Sequence, residues 1–330
     1  MLDQIYLFIF GLLLLIKGGD WFVDGATAIA RRFHLPELLI GATVVSIGTT
    51  LPEVMVSATS AFQGAGSIAY GNAIGSIICN TALIAAITIA IKPGRVDRKA
   101  LLLPVSFFFV SAVFYSLVAY IGGTFSRVCG IVLLCIFAIY MVVTVLNMKK
   151  TPQTLEMSPK DYEIEEEKKS PIWKDILFLV IGAAVIAVGA DLLVDNGTKI
   201  AQALGVPETV IALTFVALGT SLPELVTAIT SLMKGHGSLS LGNIIGANLF
   251  NLVLVSGVSV TINPFDVPAG ATVGGLNASF LIDIPVMFAV MLLLTIPALL
   301  KNRLSRWQGV TLLGIYAAFC AAQFILPYIA

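Results

Sequence analysis

Charge is what this sequence has least of. Of 330 residues, 12% are Asp, Glu, Lys or Arg and 58% are hydrophobic, with a mean hydropathy of +0.98. Soluble domains do not have that composition. Lys plus Arg equal Asp plus Glu at 19 each, so no basic excess exists to hold a phosphate backbone, and nucleic acid is excluded as a partner. Histidine is nearly absent: His34 and His236 stand alone near expected helix ends, where loop or surface positions are expected. The four cysteines, Cys79, Cys129, Cys135 and Cys320, form no C-x-x-C pair and all fall in apolar runs. They read as small core residues rather than as a disulfide or zinc framework. H-E-x-x-H, G-x-G-D and Ser/His or Ser/Lys constellations are missing as well. A hydrolase working through two carboxylates therefore survives only as a remote alternative. No basic segment precedes the first apolar run, so no cleavable signal peptide is expected and the first span is kept.

Long apolar runs are what the chain does have. They predict an all-α polytopic membrane protein with ten spans, at 3–31, 36–63, 67–91, 101–120, 125–148, 173–203, 207–234, 238–262, 278–300 and 306–328. Several exceed the length that a ~30 Å hydrocarbon core requires, so they must tilt or be interrupted. Pro36-Glu37 and Pro207-Glu208 read as helix starts, each with an early proline and an acid in the first turn. With ten spans, most Lys and Arg fall on one side, among them Arg31, Arg32, Lys92, Arg95, Arg98, Lys99, Lys149, Lys150, Lys234, Lys301 and Arg303. Only Arg127 and Lys199 fall on the other. That bias predicts a cell (plasma or inner) membrane protein with both termini outside and the central loop in the cytoplasm. The segment 149–172 is the one long polar stretch, and its composition is that of a solvated tether. It divides the chain into halves, 1–148 and 173–330, of five spans each.

The halves are related. Shifted by 171 positions, Gly18–Asn80 lies over Gly189–Asn251 without a gap. Asp20 and Asp24 meet Asp191 and Asp195, and Glu53 meets Glu224. Gly71-Asn72 meets Gly242-Asn243, and Asn80 meets Asn251. Roughly two positions in five are identical, and because five is odd the second half enters the membrane the other way round. This predicts an inverted-topology repeat with a site near the midplane at the repeat interface. Glycines 71, 75, 242 and 246 stand at i, i+4 spacing, which allows close helix approach. The paired aspartates lie one turn apart on one helix face. Structural pairing near the membrane surface is expected for them, with Lys17 the candidate partner of Asp20. Asp283 reads as favouring its helix N-terminus.

The duplicated stretch is Gly48-Thr49-Thr50-Leu51-Pro52-Glu53 and Gly219-Thr220-Ser221-Leu222-Pro223-Glu224. A carboxylate at membrane depth is costly and marks a functional site by default. Here it follows a proline, which has no N–H to donate, and a sequence that weakens a helix, so a helix break is expected at each copy. Freed carbonyls, hydroxyls and the carboxylate together make a cluster of hard oxygens, the ligand type of Na⁺ and Ca²⁺. Two glutamates supply two negative charges, which one Ca²⁺ or two Na⁺ would neutralise equally.

These motifs, with the Gly-Asn-x-[Ile/Val]-Gly that follows each, resemble the paired alpha-repeats of the sodium/calcium exchanger family, within the cation/calcium antiporter superfamily. The resemblance implies a secondary antiporter exchanging Na⁺ for Ca²⁺ by alternating access, with no cofactor and no obligatory protein partner beyond the bilayer. It implies metal-ligand positions at Thr49, Thr50, Glu53, Ser76 and Asn80, with Ser46 contributing its carbonyl. In the second repeat it implies Thr220, Ser221, Glu224 and Asn251, with the Ala217 carbonyl. The chain departs from the pattern at Ala247, where studied members have serine, and at Asn251, where several have aspartate. Both departures bear on how many sodium ions bind. Coupling to H⁺ or K⁺, carriage of another divalent ion such as Mn²⁺, and a channel remain the rival readings.

Overall fold

The structure, a computed structural model, describes residues 2–150, 171–204, 219–269, 272–273 and 276–325. Ten helical segments follow one another there: α1 (Leu2–Arg32), α2 (Glu37–Phe62), α3 (Gly66–Ile91), α4 (Arg98–Gly122) and α5 (Arg127–Lys150), then α6 (Ile172–Ala203), α7 (Leu222–Met233), α8 (Gly237–Ile262), α9 (Ser279–Lys301) and α10 (Arg306–Ile325). Eight of them are long and apolar enough to cross a membrane, while α7 is a shorter apolar helix. Their ends lie within a few residues of the spans read from hydropathy. The start expected at Pro207-Glu208 and the whole central linker lie outside the described residues.

Contacts between turns sort the helix ends onto two faces. On one face Arg32 pairs with Asp175 at 2.8 Å and His236 with Glu37 at 2.7 Å, and Arg95 bridges to Arg303. On the other, the short strands Thr124–Phe125 and Phe265–Asp266 pair antiparallel, and Asn263 donates to the Ala61 carbonyl at 3.1 Å. The chain therefore crosses from face to face as an alternating ten-span plan requires. The first will be called the Arg95 face and the second the Phe265 face. The described Lys and Arg crowd the Arg95 face, and Arg127 sits at the other.

Glycine sets the helix spacing. Antiparallel α1 and α6 meet backbone to backbone: a Cβ on Gly11 would lie 2.9 Å from the Gly189 oxygen, and one on Gly189 at 2.9 Å from the Gly11 oxygen. Without a hydrophobic effect between helices in lipid, such close dispersion contact holds the pair. The outward faces of both helices expose Leu, Ile, Val and Phe, as a lipid-facing surface does. At the centre lies α8, whose residues from Leu239 to Asn251 are all buried.

Three expectations fail locally. The first copy of the Gly-Thr-Thr-Leu-Pro-Glu motif does not break its helix: Ser46–Phe62 is continuous α-helix with Pro52 inside it. The irregularity is displaced to a π-helical turn at Gly41–Val45. Pro52 still withholds a hydrogen bond from the carbonyl four residues back, so an oxygen is freed without a break. In the second copy Thr220 and Ser221 form a turn immediately before α7, and Pro223 stands in that helix's first turn. Second, Asp20 does not pair with Lys17, which lies over the Trp21 ring instead. Both Asp20 and Asp24 take Lys234, at 3.3 and 2.7 Å. Third, Cys135 is exposed on the outer surface of α5 rather than in the core, whereas Cys79 and Cys129 are buried and all four are free.

Candidate ion-binding site

Two helices bring the duplicated glutamates to the centre. Glu53 lies within α2 and Glu224 in the first turn of α7, where the helix N-terminus favours negative charge. Both are 0% exposed, and they stand close enough for each to feel the other's charge. All four carboxylate oxygens lack a hydrogen-bond partner. The Thr49 and Thr50 hydroxyls face the Glu224 carboxylate without completing a bond to it.

Further buried oxygens lie on the elements that pack against the two glutamate helices. Thr50 Oγ1, Ser221 Oγ and both polar atoms of Asn80 and Asn251 are buried and unpartnered. Asn80 and Asn251 each open a π-helical turn, Asn80–Ala85 and Asn251–Val255, and such turns recur at functional sites. Ser76 is buried on the preceding turn of α3. Ala247, where a serine would have added a hydroxyl, is wholly buried. Ala217 lies outside the described residues. Among the described residues no group of three or more His, Cys, Asp or Glu exists, so the charge of the site is that of two glutamates.

Two asparagines that the sequence placed only within the repeat prove to tie the site together. Asn243 on α8 accepts from Thr49 Oγ1 at 3.1 Å through Oδ1, and from Ser46 Oγ at 2.9 Å through its backbone oxygen. Asn72 on α3 accepts from Thr220 Oγ1 at 3.4 Å, and donates to the Glu53 carbonyl at 3.2 Å and to Ser57 Oγ at 2.8 Å. The Thr49–Asn243 and Thr220–Asn72 bonds map onto each other under the 171-residue shift, so each repeat's asparagine holds the other repeat's threonine. The duplicated Gly-Asn was the signal that could have found them. Thr227 and Ser231 were missed too. They are buried, with unpartnered hydroxyls, and the i, i+3, i+7 spacing from Glu224 puts all three on one stripe of α7.

A helical membrane protein built from two oppositely oriented repeats, with uncompensated carboxylates buried where they cross, defines the carrier class. The sodium/calcium exchanger protein family matches residues 4–146 and 174–325. The chain is 35% identical to an uncharacterized membrane protein of Methanocaldococcus jannaschii, covering 94% of each. It is 31% identical to the sodium/calcium exchanger MaX1 of Methanosarcina acetivorans, over 96% of this chain and 97% of that one. Its fold superposes on the sodium-calcium exchanger NCX_Mj soaked with Na⁺ and Sr²⁺ with a TM-score of 0.79 and 34% identity, covering 97% and 99% of the two chains. The chain belongs to the sodium/calcium exchanger family. It is thereby a multi-pass membrane antiporter and not an enzyme.

Proposed function

We propose that this protein exchanges Na⁺ for Ca²⁺ by alternating access at a midplane site built on Glu53 and Glu224. One observation carries the reading: two wholly buried carboxylates lie within electrostatic reach of one another with every oxygen unpartnered, and among the described residues neither forms an ion pair. Two like charges in a medium of low dielectric are expensive unless a counter-ion joins them. One Ca²⁺ or two Na⁺ supply the same two charges, so each ion replaces the other in one cavity. Thr49, Thr50, Thr220, Ser221, Ser76, Asn80 and Asn251 add neutral oxygens, with the Ser46 and Ala217 carbonyls as further candidates. The site requires no cofactor and no partner protein.

The packing of the first repeat against the second bears on alternation. On the half of the site nearer the Arg95 face, a Cβ at Gly242 would collide with the Leu38 oxygen and one at Gly246 with Ser46 Oγ and Ala42. At Gly71 and Gly75, their repeat mates nearer the Phe265 face, nothing described lies within 4 Å. The contacts at Gly242 and Gly246 close the Arg95 side of the site, and alternating access requires them to part when the site opens to that face. The concentration of Lys and Arg assigns the Arg95 face and the 149–172 linker to the cytoplasm, and the termini to the outside. The halves 1–148 and 173–330 then act as the two repeats.

⁴⁵Ca²⁺ uptake into proteoliposomes loaded with Na⁺, with K⁺, or set at a pH step tests the reading. Uptake should require internal Na⁺. Equal uptake into K⁺-loaded vesicles, uptake driven by the pH step, or flux with no counter-ion would overturn it.

A further inference from the structure

Asp283 does not do what a carboxylate at a helix start usually does. Its helix is already under way in the π-helical turn Ser279–Asp283, and its side chain makes no cap bond. Instead one oxygen accepts from Gln323 Nε2 of α10 at 2.8 Å, and the Ser279 hydroxyl stands beside it. The amide satisfies one hydrogen bond but leaves the negative charge in place, the Ser279 hydroxyl donates to the Pro268 carbonyl at 3.2 Å, and among the described residues Asp283 forms no ion pair. A charge kept within a spanning helix is costly and asks for a counter-charge.

The carboxylate lines a cavity of about 410 Å³ on the Phe265 side, together with Tyr70, Ser279 and Gln323. Tyr70 is only 4% exposed. Its hydroxyl has no hydrogen-bond partner, yet it lies within electrostatic reach of Asp283. Gly71 and Gly75 present bare backbone to the same cavity. Gly75 is followed at once by the buried Ser76, so α3 carries both a wall of the cavity and a candidate ligand position of the glutamate site.

We propose that the Asp283 cavity is a second cation site, a loading site that holds a partly hydrated Na⁺ or Ca²⁺ before it moves along α3 to Glu53 and Glu224. The onward transfer rests on the exchange reading; the binding itself does not. The volume accommodates on the order of ten waters, so an ion keeps most of its hydration there. One carboxylate neutralises half the charge of Ca²⁺ and the glutamate pair all of it, so the ion is held more loosely at Asp283 than at the centre. Asp283 is the one charged side chain among the described lining residues, and its negative charge favours a cation there.

Terbium(III), an oxygen-seeking cation sensitised by nearby tyrosine, reports on the site directly. The test uses the full chain with Glu53→Gln and Glu224→Gln, which silences the central pair. Tyrosine-sensitised emission should persist in that variant, be displaced by Ca²⁺, and be lost when Asp283→Asn is added. Asparagine keeps the Gln323 hydrogen bond and the volume, removing only the charge. If that variant does not fold, Tyr70→Phe takes its place, and the terbium concentration at half-saturation should then rise several-fold. No emission in the double variant, or emission indifferent to both changes, overturns the proposal. In vesicles, Asp283→Asn alone should raise half-saturating Ca²⁺ on the Phe265 face about fourfold at unchanged maximal rate, the size expected for a divalent ion about 10 Å from one charge in a wet cavity. Loss of the sodium requirement in the unmodified protein would instead defeat the exchange reading and leave the terbium result standing.

Discussion

At the scale of single residues, the two glutamates should dominate. They share one divalent ion, with no third anion among the described residues to help them. Removing one charge at ~4 Å from a divalent ion forfeits about 8 kcal/mol of attraction at an effective dielectric near 20, part of which the carboxylate's desolvation had already offset, so at least about three decades of affinity should go. Glu53→Gln and Glu224→Gln should each lower Ca²⁺ affinity to that extent while preserving volume, as titration calorimetry on purified protein would read. A loss of less than tenfold in either would remove that residue from the site. Asn243 acts one step removed: Thr49 and Ser46 depend on it. Asn243→Ala strands the Thr49 hydroxyl in a buried place, which costs about 1–3 kcal/mol. Melting temperature and Ca²⁺ affinity should fall together, whereas a purely structural asparagine would lower the first alone.

At the scale of elements, the glycine pairs give opposite expectations. A methyl group at Gly242 meets the Leu38 backbone, which cannot rotate away. Overpacking of this kind costs about 1–3 kcal/mol or more, so Gly242→Ala should lower the melting temperature. A methyl group at Gly71 meets nothing described within 4 Å, so Gly71→Ala should melt normally. If the two faces exchange packings during transport, that same methyl obstructs the other state, and exchange should slow in a protein of unchanged stability. Normal exchange in Gly71→Ala would argue that Gly71 never packs as its repeat mate does. The Lys234 contacts with Asp20 and Asp24 tie α1 to the end of α7. Both acids are more than a third exposed, and pairs of that kind contribute about 1 kcal/mol at most. Asp24→Asn should therefore reduce exchange far less than either glutamine variant.

At the scale of the whole molecule, the orientation is open to a direct test. A membrane-impermeant thiol reagent applied from outside to intact cells, in a cysteine-free background, should label Thr124→Cys and leave Arg303→Cys untouched. The reverse pattern would invert the assigned faces. A probe at Lys160, in the linker outside the described residues, should also be protected. Replacing Asp161 and Glu163–Glu167 by neutral residues should leave calcium dependence unchanged if the linker is a tether.

Much of this architecture was legible in one dimension because the surroundings of a membrane helix are set by lipid. Apolar length alone marks where the chain must be helical, since backbone polar groups find no water there. Duplication is also a property of sequence, so the inverted repeat, Glu53, Glu224 and the hydroxyl and amide positions around them were visible before any coordinate. What stayed hidden depends on contacts between residues far apart in the chain. The cross-bonds of Asn72 and Asn243 exist only once the repeats interlock. Lys234 is more than 200 residues from both Asp20 and Asp24, so Lys17 was the nearer guess. Pro52 and Pro223 sit in matching sequence, yet the first lies inside a continuous helix and the second in the first turn of one. Related halves carry the same motif, and which side chains of one half meet which of the other is decided by tertiary contacts alone.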